Sequence, residues 1–131
     1  MKGGPRARVV GILNVTPDSF SDGGRYLDPA RALDHALSME SQGAWAVDVG
    51  GESTRPGASG VDQPEERRRV IPVIRRLVRH LKIPVSLDSR RPAVQKEALD
   101  AGASILNDVS AGGSQETLRM AASSGAMLIL M

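Results

Sequence analysis

Four polar residues each stand where an apolar run stops and a loop begins: Asn14, Asp48, Asp88 and Asn107. An ionised aspartate such as Asp88 can accept a pair of N–H bonds from the donor edge of an aminated pyrimidine, and Asn107 can donate and accept beside it. Asn14 offers a neutral oxygen, which suits a Mg²⁺ ion that keeps most of its waters and binds chiefly through a substrate's phosphates. Thr54-Arg55-Pro56 follows the pair Gly50-Gly51, where backbone N–H groups can come close to an anion. Arg55 adds a planar fork of donors suited to phosphate, and Thr54 adds a hydroxyl. Both glycine-rich nucleotide fingerprints, G-x-G-x-x-G after a strand and G-x-x-x-x-G-K-[ST], are absent, which argues against nucleotide folds of those types. Any one of the four strand-end residues could instead be a helix cap; Asp88, ahead of Ser-Arg-Arg-Pro92, is the plainest candidate.

Elements that could position these groups are legible around them. Apolar runs at residues 8–13, 45–49, 83–87, 104–106 and 126–131 alternate with helical stretches. The first run has the composition of a strand buried on both faces. It leads into a long polar segment, through Pro17, Asp18, Ser21, Asp22, Gly23 and Gly24, before the next periodic pattern. Loops of that length are usually functional, the alternative being a plain Gly/Pro-rich surface loop. The first helix has Asp28 to cap it, Pro29 in its first turn and Gly43 to stop it, with Leu33, Ala36, Leu37 and Met39 on one face. The second follows Asp62 and Pro64. Its apolar stripe is Val70, Ile71, Val73, Ile74, Leu77, Val78 and Leu81, and Pro72 is expected to bend its first turn. Arg67, Arg68, Arg69, Arg75, Arg76 and Arg79 are expected on a solvated outer face. Shorter helices are predicted at 92–101 and 115–124, closed by Gly102 and Gly125. His35 and His80 read as surface histidines rather than metal ligands.

Strand–helix alternation predicts a parallel α/β sheet with right-handed crossovers, whose strand ends gather on one ligand-binding face. The 131 residues suffice for one domain. A hydrophobic fraction of 40% and a charged fraction of 24% are those of a globular protein. No apolar run reaches bilayer-spanning length and no secretory signal is visible, so no membrane partner is expected. A net charge of +2, with one Trp, one Tyr and one Phe, gives no nucleic-acid footprint. The absence of cysteine rules out disulfides and thiolate metal sites, and fits a cytoplasmic protein.

Asn14-Val-Thr-Pro-Asp-Ser-Phe-Ser-Asp-Gly-Gly24 and Gly50-Gly-Glu-Ser-Thr-Arg-Pro-Gly-Ala58 resemble the two signature loops of the dihydropteroate synthase family. The resemblance continues through Ser86-Leu-Asp-Ser89 and Ile105-Leu-Asn-Asp-Val-Ser110, in the family's order. It implies a TIM (β/α)8 barrel, of which residues 1–131 supply about the first four and a half βα units. It also implies an enzyme that joins p-aminobenzoate to 6-hydroxymethyl-7,8-dihydropterin diphosphate with Mg²⁺, homodimeric when full length. Carried over by position, Asn14 would bind the metal, and Thr54 and Arg55 would face the diphosphate. Asp88 and Asn107 would hold the pterin, Asp22 would stabilise positive charge as diphosphate leaves, and Phe20 and Pro56 would frame the aminobenzoate. Ser89 and Arg90 stand where relatives commonly show Thr; the hydroxyl survives in Ser89. Further pterin and diphosphate ligands of the family fall beyond Met131, so the fragment alone is expected to lack turnover and to associate through its open strand edges. Other readings are a non-catalytic half-barrel and a methyltetrahydrofolate-dependent methyltransferase domain, which would not need the Ser-Thr-Arg-Pro-Gly loop.

Overall fold

The computed structural model describes residues 6–16, 28–52, 60–108, 110 and 114–131. In chain order they form β1 (Val10–Asn14), α1 (Pro29–Ser41), β2 (Ala46–Gly50), α2 (Gln63–His80), β3 (Val85–Asp88), α3 (Pro92–Asp100), β4 (Ile105–Asp108), α4 (Gln115–Ser124) and β5 (Met127–Leu130). All five strands run parallel in the unbroken order β1-β2-β3-β4-β5. Right-handed crossovers between strands in that order put every helix on one side of the sheet. Accordingly α1, α2, α3 and α4 pack each against the next. The sheet is wound in one direction, as in a barrel, rather than doubly wound.

Helix boundaries follow local chemistry. Asp28 Oδ1 accepts from Ala30 N at 3.2 Å and Asp62 Oδ1 from Glu65 N at 2.9 Å, each ahead of a proline in the first turn. Gly43, Gly102 and Gly125 follow α1, α3 and α4 with φ of 98°, 110° and 73°, the left-handed region that favours glycine. Asp88 is not a helix cap: the N-cap of α3 is Arg91, which makes no side-chain capping bond, and Asp88 still belongs to β3. Pro72 lies not in the first turn of α2 but deep in its interior, exposed, and the helix continues through it to His80. The carbonyl that loses its partner there is on the wet side of the helix, where water can serve it.

The core lies between sheet and helices. Leu13, Val47, Val49, Val85, Leu87 and Leu106 meet Ala32, Leu33 and Ala36 of α1, Val70, Ile71, Val73, Ile74 and Leu77 of α2, and Val94 and Ala98 of α3. Leu37, expected on the packed face of α1, is exposed, while Met39 packs against the core. The strands differ in how they use their second face. β2 is buried at every position. In β1 only Leu13 is buried, and Ile12 is 65% exposed. The expectation that β1 is covered on both sides fails among the described residues, because it is an edge strand whose helix-distant face meets no described element. No described helix is long and apolar enough to cross a membrane.

Five of the six arginines of α2 are exposed, as expected. Arg69 departs from the pattern. It is half-buried, its Nε pairs with Glu65 and its Nη1 donates to Gly51 O at 2.9 Å. The helix thereby grips the chain just after β2. The two glycines at that strand end play different parts. A Cβ on Gly51 would lie 2.8 Å from Val70 Cγ1, whereas one on Gly50, facing the other way, would meet nothing nearer than Asp88 Oδ2 at 3.5 Å. Gly51→Ala is therefore expected to cost about 1–3 kcal/mol through overpacking against a branched, rigid neighbour. Gly50→Ala should cost clearly less. Urea unfolding of the two variants beside the parent checks the difference, and equal losses would refute the close approach of α2 to β2.

Candidate functional site

Strand register brings the predicted residues together. Asn14 is opposite Gly50, Gly50 opposite Asp88, and Asp88 opposite Asn107. They form one row across four strands. Leu13, Val49, Leu87 and Leu106, each one residue earlier, point into the helix-side core, so by alternation the row faces the open side of the sheet. Gly50 leaves a gap in the row: a Cβ there would sit 3.5 Å from Asp88 Oδ2 and 3.7 Å from Asn14 Oδ1. Asn14 and Asp88 thus face each other across an unfilled space.

Asp48 is not in this row, although its apolar run suggested a strand end. It lies two residues lower in β2, opposite Ile12 and Ser86, on the same open face. From there its Oδ2 accepts a hydrogen bond from Asn107 Nδ2 at 3.0 Å. Asp48 Oδ1, Ser86 Oγ and Asn107 Oδ1 are buried without a hydrogen-bond partner. Buried polar atoms left unpaired are costly and uncommon in folded proteins.

The row is acidic for its degree of burial. Burial pushes the Asp88 carboxyl up to about 6, reinforced by the charges of Asp48, Glu66, Glu52 and Asp108. Burial also raises Asp48, against the pull of Ser86 and the Asn107 amide; Ser86 lies close enough to act without forming a well-made bond. The arrangement is short of donors and rich in acceptors.

Behind the row, on the helix side, a buried polar chain fixes the residue after Asp88. Ser89 Oγ donates to Glu66 Oε1 at 2.9 Å and accepts from Arg91 N at 3.1 Å. Gln95 Nε2 donates to Ser89 O at 2.7 Å, and Thr117 Oγ1 donates to Gln95 Oε1 at 2.6 Å. Arg91 Nη1 lies 3.4 Å from Glu66 Oε1 and 3.5 Å from Glu52 Oε2, and Arg91 also bonds Val61 O. Burial raises the Glu66 carboxyl, opposed by Ser89 and Arg91.

The sequence pattern assigns no role to Glu66 or Gln95, holds Ser86 only as part of a motif, and marks Asp48 as a strand-end residue without giving it a chemistry. One signal was available: Glu66 precedes Val70, Val73, Ile74 and Leu77 at helical spacing, so a carboxylate occupies the buried stripe of α2. Phe20, Asp22, Thr54, Arg55 and Pro56 lie outside the described residues. His35 and His80 are exposed, the latter bonding Arg76 O through Nδ1 at 2.9 Å. No group of three His, Cys, Asp or Glu among the described residues could hold a metal by itself. A cleft of about 440 Å³ between the start of α1 and α2, lined by residues such as Val15, Asp28, Arg68 and Pro72, shares no residue with the row.

Against this geometry, the chain matches the sequence model of the pterin binding enzyme family over residues 10–131. It is 56% identical over 101 residues to the dihydropteroate synthase of Bacillus subtilis, covering 77% of this chain and 35% of that one. A Clostridium difficile dihydropteroate synthase solved in the presence of pteroic acid superposes with a TM-score of 0.89 at 45% identity, over 100% of this chain and 50% of its own. A Xanthomonas albilineans dihydropteroate synthase solved with 4-aminobenzoic acid gives 0.87 at 48% identity, over 96% and 46%. The chain thus spans half or less of the relatives it matches. The five parallel strands and four helices of its described residues correspond to part of their TIM barrel.

The acidity of Asp88 has a consequence for stability. Its folded value, about 6, lies above the ordinary 3.8. Between roughly pH 4 and 6 the folded protein keeps a proton that the unfolded chain has lost, so stability falls as pH rises through that window. Asp88→Asn should flatten this slope and leave the ligand-free protein more stable than the parent above pH 6. Urea unfolding at a series of pH values measures it. A slope unchanged by the substitution would show that Asp88 titrates as an exposed carboxylate.

Proposed function

The chain belongs to the pterin binding enzyme family, and from that premise we propose that it is the N-terminal part of a dihydropteroate synthase. The reaction joins 6-hydroxymethyl-7,8-dihydropterin diphosphate to p-aminobenzoate, giving 7,8-dihydropteroate and diphosphate in folate biosynthesis. In this reading residues 1–131 are one pterin-binding domain portion of a cytoplasmic, homodimeric enzyme. The observation that carries the reading is the acceptor-rich row of Asn14, Asp88 and Asn107 on the open face of the sheet. In parallel α/β barrels the strand ends on one face build the active site.

Asp88 accepts from the amino-pyrimidine edge of the pterin, and its charged form is the better acceptor. Asn107 lines the same ring. Thr54 and Arg55 hold the diphosphate, Phe20 and Pro56 frame the aminobenzoate, and Asp22 stabilises positive charge as the diphosphate departs. The donor set supports a metal held mainly by substrate. Asn14 is exposed, carries a neutral oxygen and borders the gap at Gly50, while the described residues supply no protein cage. Mg²⁺ bound with the substrate would neutralise the diphosphate as it leaves.

The decisive measurement is synthesis of dihydropteroate from the two substrates by the full-length protein; no turnover would refute the reading. Two variants test the roles. Asp88→Asn should lose at least about 2–3 kcal/mol of pterin diphosphate binding, since a charged acceptor becomes a half-mismatched amide. Calorimetry showing unchanged affinity would remove Asp88 from the pocket. Asn14→Ala should weaken the Mg²⁺ dependence of pterin diphosphate binding and leave binding of a pterin without diphosphate nearly as it was. A metal dependence that survives intact would refute the role of Asn14.

A further inference from the structure

Asp48 and Asn107 sit on strands that are not neighbours. β3 runs between β2 and β4, so their backbones are separated by two strand spacings, roughly 9.5 Å. The 3.0 Å bond from Asn107 Nδ2 to Asp48 Oδ2 therefore passes over β3. It crosses the open face obliquely, from the level of Asp88, the register partner of Asn107, to that of Ser86, the register partner of Asp48. A serine is short enough to let the two side chains meet above it.

The bond also settles the orientation of an otherwise ambiguous group. The two ends of an asparagine amide have nearly the same shape and opposite hydrogen-bonding character. An ionised carboxylate accepts only, so Asp48 selects the NH₂ end of Asn107. The carbonyl Oδ1 must then point the other way, and it is buried there without a partner. Asp88 stands beside Asn107 in the same row. We propose that Asp48 is a positioning residue which locks the Asn107 amide so that its oxygen, beside Asp88, forms a two-acceptor edge reserved for N–H donors of the bound ring. This rests on the pterin-binding reading above and deepens it, because it assigns the donor selectivity of the row to a residue one layer below the ligand.

The test is a double-mutant cycle in the full-length protein, with 6-hydroxymethylpterin as the calorimetric ligand. Asp48→Ala and Asn107→Ala should each weaken pterin binding about tenfold or more, and the double variant should be little weaker than the poorer single one. Asp48→Asn keeps an acceptor oxygen but can also donate, so it no longer selects one end of Asn107 and should recover only part of the affinity. Binding of p-aminobenzoate should be unaffected, which a general loss of structure would not allow. Additive losses, or full affinity in Asp48→Ala, would overturn the proposal. A parent protein that binds no pterin would instead refute the functional reading, and the positioning role with it. If Asp48→Ala fails to fold, the cycle of Asp48→Asn with Asn107→Asp decides. There the lone Asn107→Asp, facing a carboxylate, must bind worse than the pair, and the reverse order overturns the proposal.

Discussion

Glu66 places a carboxylate in the apolar stripe of α2, 1% exposed, and much of the structure near the site follows from satisfying it. Taking an ionised group out of water costs several kcal/mol, offset only when charge and hydrogen bonds are supplied close by. Ser89 gives a hydroxyl and Arg91 a guanidinium, so the turn leaving β3 must come to α2 and stay there. The same turn is held by Gln95 on α3, itself held by Thr117 on α4. Arg91 then reaches Glu52 and Val61, which lie on opposite sides of residues 53–59 in the chain. A hydrophobic residue at 66 would fill the space but give Ser89 and Arg91 no reason to sit where they do. Asp88 is the residue before Ser89, and its place in the row is set by this buried anchorage.

Much of that architecture was legible beforehand, and the exceptions share a cause. Caps, prolines and positive-φ glycines are local signals, and they put α1, α2 and α4 where the sequence placed them. The apolar stripe of α2 was legible from period alone. Depth within a strand was not. Asp48 looked like a strand end because it is the polar residue near the close of the apolar run 45–49, but Gly50 carries no pattern at all, so only register shows Asp48 one row down. Arg69 resembled its neighbours in the basic run, and its turn toward Gly51 O depends on where the chain leaves β2. The partners of Glu66 lie 23 and 25 residues away, beyond any periodicity argument. Phe20, Asp22, Thr54, Arg55 and Pro56, read from the motifs, fall outside the described residues, so the candidate site takes its geometry from strand ends alone.

The strand ends also show how stability and binding oppose each other here. Alternation sends Leu13, Val49, Leu87 and Leu106 to the core while Asn14, Asp88 and Asn107 face away, so the chemistry of one face can be set without disturbing the packing of the other. That freedom is used against stability. Asp48 and Asp88 are both raised, and the charges of Glu52, Glu66 and Asp108 add to the load on Asp88. Such crowding of acceptors, with three buried oxygens on this face unpaired, would be a poor choice for a surface selected only to fold. It is the arrangement expected of a face completed by a donor-bearing ligand, whose N–H groups would supply hydrogen bonds to carboxyls that burial has raised. On the proposed pterin-binding reading, a substitution that removes this crowding should strengthen the fold and weaken the site together.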